Sequence, residues 1–226
     1  MADPIVEITD TEGQAFDDEY VIRTKTAVTE PPLAEEIVTQ VINFPVGWST
    51  FGLFIDPHAG FAGSVGTFSN SASVVEMFND VPDLSVLTQV KNNDAIAYIP
   101  QYGYNGIGDL INGQGYYAHA TQSFSITITG PPISTNDGSY EMLGMTIDLV
   151  NGWNMITPTI QIEDNEFFNV AVVFEDLAST GNLTMVKDSS GMAFLPAWSM
   201  NNIGNLTEGV VYFVHVTAPS SVTITK

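Results

Sequence analysis

Tyr116-Tyr117-Ala118-His119-Ala120-Thr121 and Tyr212-Phe213-Val214-His215-Val216-Thr217 are one strand written twice, 96 residues apart. Side chains alternate across a strand, so residues 116, 118 and 120 share one face and His119 takes the other. In the second copy Tyr212, Val214 and Val216 mark the core face, and His215 points outward with its twin.

Working outward, the same offset carries residues 74–129 onto 170–225 without a gap, with 21 of 56 positions identical. Unrelated segments of ordinary composition agree at about three or four. Val90-Lys91 falls on Val186-Lys187, and Pro100 on Pro196. Asn105-Gly106-Ile107-Gly108-Asp109-Leu110 falls on Asn201-Asn202-Ile203-Gly204-Asn205-Leu206. Upstream the offset becomes 105, which places Gly47-Trp48 on Gly152-Trp153. The nine-residue difference reads as an extra Gly- and Ser-rich surface loop within 57–70.

The chain thus divides into an acidic N-terminal arm (1–37), a β-rich repeat (38–130), a linker (131–140) and a second β-rich repeat (141–226). Copies of this size are domain-like units rather than solenoid turns. Alternation predicts strands at 39–44 and 146–149, and again after each Gly-Trp pair, at 48–55 and 153–160. One helix per repeat is expected, at 71–79, capped by Ser71 or Ser73, and at 165–176. Residues 87–91 and 95–99 form a hairpin, as do 183–187 and 192–195, each closed by a polar turn and ended by a proline. Strands at 116–121, 124–129, 212–217 and 221–225 complete the units. The expected fold is mainly β: two tandem homologous small β-sandwich or open-barrel domains, each with one short helix, preceded by an extended arm.

Composition narrows function by exclusion. The 226 residues hold 26 acids against 5 bases, a formal charge of −21. Such a surface repels phosphate, so nucleic acid and anionic membrane are not expected partners. There is no cysteine, hence no disulfide staple, thiolate zinc site or cysteine nucleophile. The start lacks a basic segment and an apolar stretch, so no signal peptide is expected, and no apolar run is long enough to span a bilayer.

Catalytic signals are thin. Ala62-Gly63-Ser64-Val65-Gly66 falls short of a nucleophile elbow and lies in the inserted loop. Gly103, Gly106 and Gly108 lack phosphate-cradle spacing and read as turn residues. Asp109 and Asp94 become Asn205 and Ser190 in the second copy, so no carboxylate pair is preserved for glycoside hydrolysis. No acid accompanies His119 and His215 at a fixed spacing, and His58 has no twin, which leaves outer-face polar residues. Glu163-Asp164-Asn165-Glu166 and Asp17-Asp18-Glu19 are hard-oxygen clusters that fit no EF-hand loop. No catalytic residue, cofactor or metal site is assigned.

Two features point to binding. Trp48 and Trp153 recur at one place and read as core packing. Tyr102, Tyr104 and Trp198 follow the matched prolines and form a candidate exposed aromatic platform for sugar rings. The arm carries 10 acids and 2 bases, with β-prone stretches at Ile5-Val6-Glu7-Ile8 and Tyr20-Val21-Ile22. Ile5, Val6, Ile8, Tyr20, Val21 and Ile22 are the expected assembly contacts, adding a strand to a neighbouring subunit.

The series Gly-Trp, Val-Lys, aromatic-x-Pro, Asn-x-Ile-Gly-x-Leu and Gly-x-x-Tyr resembles a short module of marine bacteriophage virion proteins and of marine bacterial surface proteins. Its carriers are Gly47-Trp48, Val90-Lys91, Tyr98-Ile99-Pro100, residues 105–110 and residues 113–116, each repeated in the second copy. The second copy departs at Val210-Val211, where the first has Gln114-Gly115. The resemblance covers both repeats but not the arm, and implies no catalytic residues. With the exclusions above, it leads to a non-enzymatic virion structural protein on the outer surface of the particle. The expected role is capsid decoration, with the major capsid protein, other virion subunits and sister copies as partners. The alternative is a tail or neck fibre, or an adhesin module, that binds host-surface glycans.

Overall fold

The computed structural model describes residues 38–55, 73–79, 81–130, 145–159 and 168–224. All of them belong to one compact unit, Glu35–Lys226. The arm residues Ile5, Val6, Ile8, Tyr20, Val21 and Ile22 lie outside the described residues. So do His58, residues 62–66, the linker and both hard-oxygen clusters.

The first half runs β1 (Val38–Phe44), β2 (Gly47–Gly52), α1 (Val74–Met77), β3 (Leu87–Lys91), β4 (Ala97–Ile99), β5 (Tyr104–Asn105), β6 (Gly115–Ala120) and β7 (Phe124–Gly130). The second runs β8 (Met145–Leu149), β9 (Gly152–Ile156), α2 (Val170–Val173), α3 (Glu175–Ser179), β10 (Leu183–Asp188), β11 (Ala193–Leu195), β12 (Met200–Asn201), β13 (Tyr212–Val216) and β14 (Ser220–Ile224). The fold is mainly β. One five-stranded antiparallel sheet is ordered β2-β6-β3-β4-β5 and the other β9-β13-β10-β11-β12, the same path in both halves. The pairs β1-β7 and β8-β14 form separate two-stranded sheets.

In each half the small sheet covers the large one, an arrangement compatible with a β-sandwich. Phe44 of β1 meets Phe51 of β2 at 5.5 Å between ring centroids and stacks on Phe124 of β7 at 4.8 Å. Ile42, Ile126 and Ile128 join them, with Tyr116, Ala118 and Val90 from the larger sheet. The second core gathers Leu149, Val222 and Ile224 over Val186, Tyr212 and Val214. Each fully buried large side chain contributes roughly 1.5–3 kcal/mol, so these two clusters carry the stability.

The Asn-x-Ile-Gly-x-Leu motif is explained by turn geometry and burial. The Asn105 side chain accepts a hydrogen bond from the Gly108 N–H at 2.9 Å, and Asn201 does the same for Gly204. Gly108 and Gly204 have φ of 73° and 72°, a region that penalises any Cβ. Leu110 and Leu206 then drop into the two cores. The carbonyls of Gly108 and Gly204 accept from the N–H of Val74 and Val170, pinning α1 and α2 in matched places.

Several predicted boundaries shift. The strands after Gly-Trp stop at Gly52 and Ile156 rather than at 55 and 160. In the first half Gln40 explains the stop. Its Nε2 donates to the Gly52 carbonyl at 2.8 Å and its Oε1 accepts from the Phe54 N–H at 3.2 Å. A buried side chain thus satisfies backbone that a ladder would otherwise have to pair. The helices are shorter than expected. α1 is a single turn capped by Ser73, and the second-half helix is broken at Phe174 into α2 and α3. Three valines in α2 restrict χ1 and favour helix poorly. Pro100 and Pro196 end their strands as expected, each opening a 3-10 turn.

Candidate functional site

Alternation along β2, β6 and β3 sends Trp48, His119 and Lys91 to the outer face of the first large sheet. Trp48 and His119 are cross-strand partners, and Lys91 is the partner of Tyr117. The His119 ring meets the Trp48 indole edge-on at 5.0 Å, and Tyr117 does so at 6.2 Å. The Lys91 ammonium stands 5.3 Å from the indole centroid. The second half repeats the cluster. Trp153 meets His215 at 4.9 Å, and Lys187 lies 4.8 Å from the Trp153 ring and 5.5 Å from that of Phe213. Each cation–π contact is worth about 0.5–1 kcal/mol at such exposed sites.

The reading of Trp48 and Trp153 as core residues is therefore corrected: they are 50% and 44% exposed. The neighbouring strand positions explain it. Phe51, buried with Leu53 and Ile55, takes the inward face of the first copy, which turns Trp48 outward.

Lys91 and Lys187 are the sole Lys or Arg side chains among the described residues, and both stand over the matched tryptophans. Sequence reasoning treated Val-Lys only as a repeat marker. The recurrence of Gly-Trp, Val-Lys and Tyr-x-x-His in both copies was the available signal. The two histidines differ in their surroundings. The Thr88 hydroxyl donates to the His119 carbonyl at 3.0 Å and lies 2.8 Å from His119 Nδ1. His215 Nδ1 is buried without a hydrogen-bond partner. The Tyr117 and Phe213 rings approach to 5.8 Å and join the two clusters into one aromatic surface.

Tyr102, Tyr104 and Trp198 are exposed, at 75%, 53% and 77%. Tyr102 precedes β5 and Tyr104 opens it, and Trp198 precedes β12. These strands are the outer edges of two different sheets, and no ring contact joins the three. In the first half, next to Tyr102, Leu84, Ser85, Leu87, Thr88, Pro100 and Gln101 line a hollow of about 360 Å³.

A second cleft, about 350 Å³, lies where the halves meet and includes Asn93, Asp94, Asn112, Gln114, Asp148 and Asn154 in its lining. Both carboxylates are exposed. Among the described residues no three His, Asp or Glu side chains gather into a group able to hold a metal ion. The shifted groups are structural. Burial pushes the phenols of Tyr98, Tyr117 and Tyr212 up, and that of Tyr116 up to about 12. Hydrogen bonds from Ser85 hold the exposed Asp83 carboxyl below its ordinary value.

Comparison of the chain with family models, with curated proteins and with solved structures gives no match.

Proposed function

We propose that this chain is a non-enzymatic structural protein of a bacteriophage particle, made of a tandem pair of duplicated β domains and docked on the outer shell through its N-terminal arm. The carrying observation is the aromatic surface. The large side chains that recur in both halves at Trp48 and Trp153 are displayed rather than buried, and Tyr102 and Trp198 protrude from matched turns. Exposed aromatic surface on a rigid scaffold is the usual chemistry of a contact with other proteins. The charge of −21 favours a place outside the shell, away from packaged nucleic acid. The partners are the major capsid protein, other virion subunits and sister copies, without nucleic acid, membrane or cofactor. Deletion of residues 1–37 followed by measurement of occupancy on purified particles tests the role. Incorporation should fall sharply, and unchanged incorporation would overturn arm-mediated docking.

A second reading takes the exposed rings as sugar platforms of a tail or neck fibre or an adhesin. The observation in its favour is Tyr102 beside the 360 Å³ hollow with its mixed apolar and polar lining. Pyranose rings stack on such faces while hydroxyls find groups like Gln101 and Thr88. This reading requires binding on a glycan array that is lost in Trp198→Ala or Tyr102→Ala. An array without binding leaves the decoration role as the reading.

A further inference from the structure

The two halves touch through positions that are equivalent in the repeat. An added Cβ on Gly52 would run into the Thr157 side chain, and 157 is 52 shifted by 105. An added Cβ on Gly115 would come within 2.6 Å of Val211, and 211 is 115 shifted by 96. The Tyr117 and Phe213 rings, 96 apart, meet at 5.8 Å. A residue meets its own equivalent only at a two-fold axis. The neighbouring contacts match in place, though not bond for bond. Thr157 N–H donates to the Gly113 carbonyl at 2.8 Å. The mirror contact would join Gly52 to Gly209. There, a Cβ on Gly209 would lie 3.0 Å from Gln40 Nε2, the atom that donates to the Gly52 carbonyl.

The axis is asymmetric in size. The first half contributes Gly52 and Gly115, whereas the second contributes Thr157 and Val211, both buried. Two copies of the second half would force Thr157 onto Thr157 and Val211 onto Val211. Two copies of the first would leave a gap at both points. Each outcome is costly, since overpacking forces side chains and backbone out of place and voids forfeit transfer and dispersion energy. The backbone does not demand glycine at 52 or 115, because neither has a positive φ. Close approach of the other half is the reason for both.

We infer that the chain is a fused pseudo-dimer in which each half is the selective partner of the other, with glycine facing Thr or Val at the axis as the device that excludes like-with-like pairing. This surface lies between the halves of one chain, and the inference is argued from contacts within that chain. The inference therefore stands or falls independently of the decoration role.

The test uses the full chain with a protease site inserted in 131–140. After cleavage, size exclusion and native mass spectrometry at micromolar concentration should show the fragments still together at 1:1. Free fragments, or sorting into like pairs, would overturn the inference. Gly115→Val in the same cleavable chain should weaken retention at least 10-fold, and unchanged retention would overturn the selectivity. Should Gly115→Val prevent folding, the double variant Gly115→Val/Val211→Gly decides. It exchanges the two sizes across the axis, so folding and retention should recover above either single variant. Failure to recover would refute the pairing code.

Discussion

Replacing Tyr116 with Phe should reverse its effect on stability between neutral and alkaline pH. The Tyr116 side chain is fully buried, and its hydroxyl accepts from the Ile111 N–H at 2.8 Å and donates to Gln114 Oε1 at 2.9 Å. Phe keeps the ring and strands those partners, at a cost of about 1–1.5 kcal/mol near pH 7. For a domain of this size the melting temperature should fall about 2–6 °C. The alkaline limb runs the other way. An unfolded tyrosine ionises near pH 10, whereas burial pushes Tyr116 up to about 12. Below pH 10 both states hold the proton and the wild type has its full stability. Between 10 and 12 the unfolded chain releases the proton while the folded one keeps it, so stability is lost as pH rises. Two units at 1.36 kcal/mol each give about 2.7 kcal/mol, half of it gone near pH 11. The variant lacks this loss, so the two curves of unfolding free energy against pH should cross near pH 11. Urea denaturation at intervals from pH 7 to 12 measures both curves. Tyr98, Tyr117 and Tyr212 are also raised by burial and act on both proteins alike, so the difference isolates Tyr116. Parallel curves above pH 10 would refute the argument.

Three further outcomes follow from single contacts. Asn182→Ala removes the side-chain oxygen that accepts from the N–H groups of Thr217 and Ala218 and from the Thr217 hydroxyl. Stability in urea should fall by about 1–3 kcal/mol. Ala95 sits at φ 61° where the second copy has Gly191, and Ser199 at φ 51° where the first has Gly103. Relief of left-handed strain, less the entropy cost of glycine, should make Ala95→Gly and Ser199→Gly each stabilising by about 0.5 kcal/mol, read as a rise in melting temperature. Lys187→Met removes the cation over Trp153 and Phe213. It should change tryptophan emission while costing under about 1 kcal/mol, and an unchanged spectrum would count against the stacked geometry.

The sequence made the strands readable because alternation and prolines are local signals. Tyr116, Ala118 and Ala120 face the core as their spacing requires, and Pro100 ends β4 because it has no N–H to pair. What stayed hidden is non-local. Lys91 on β3 reaches Trp48 on β2 across the intervening β6, so the contact depends on strand order, which no spacing reveals. Trp48 reads as core in the sequence because a large ring next to a strand start carries the hydrophobic weight of a core residue, whatever face it takes, and the structure exposes half of it. Gly115 falls outside the strand expected at 116–121, yet it begins β6 and is small because Val211 stands against it. The departures between the copies were therefore as informative as the identities. Identities such as Asn105, Gly108 and Leu110 mark what each half needs to fold. The paired differences, Gly52 with Thr157 and Gly115 with Val211, mark where one half must accommodate the other. Where twins of a duplicated chain come as close as Gly52 with Thr157 and Gly115 with Val211, two full-sized side chains would compete for one space, whereas Tyr117 and Phe213, with rings 5.8 Å apart, leave room for both. On that argument the Gly-to-Val change at 115 and 211 is part of the packing itself. The tryptophan, lysine and histidine of each aromatic cluster contact partners within their own half and are the same in both copies.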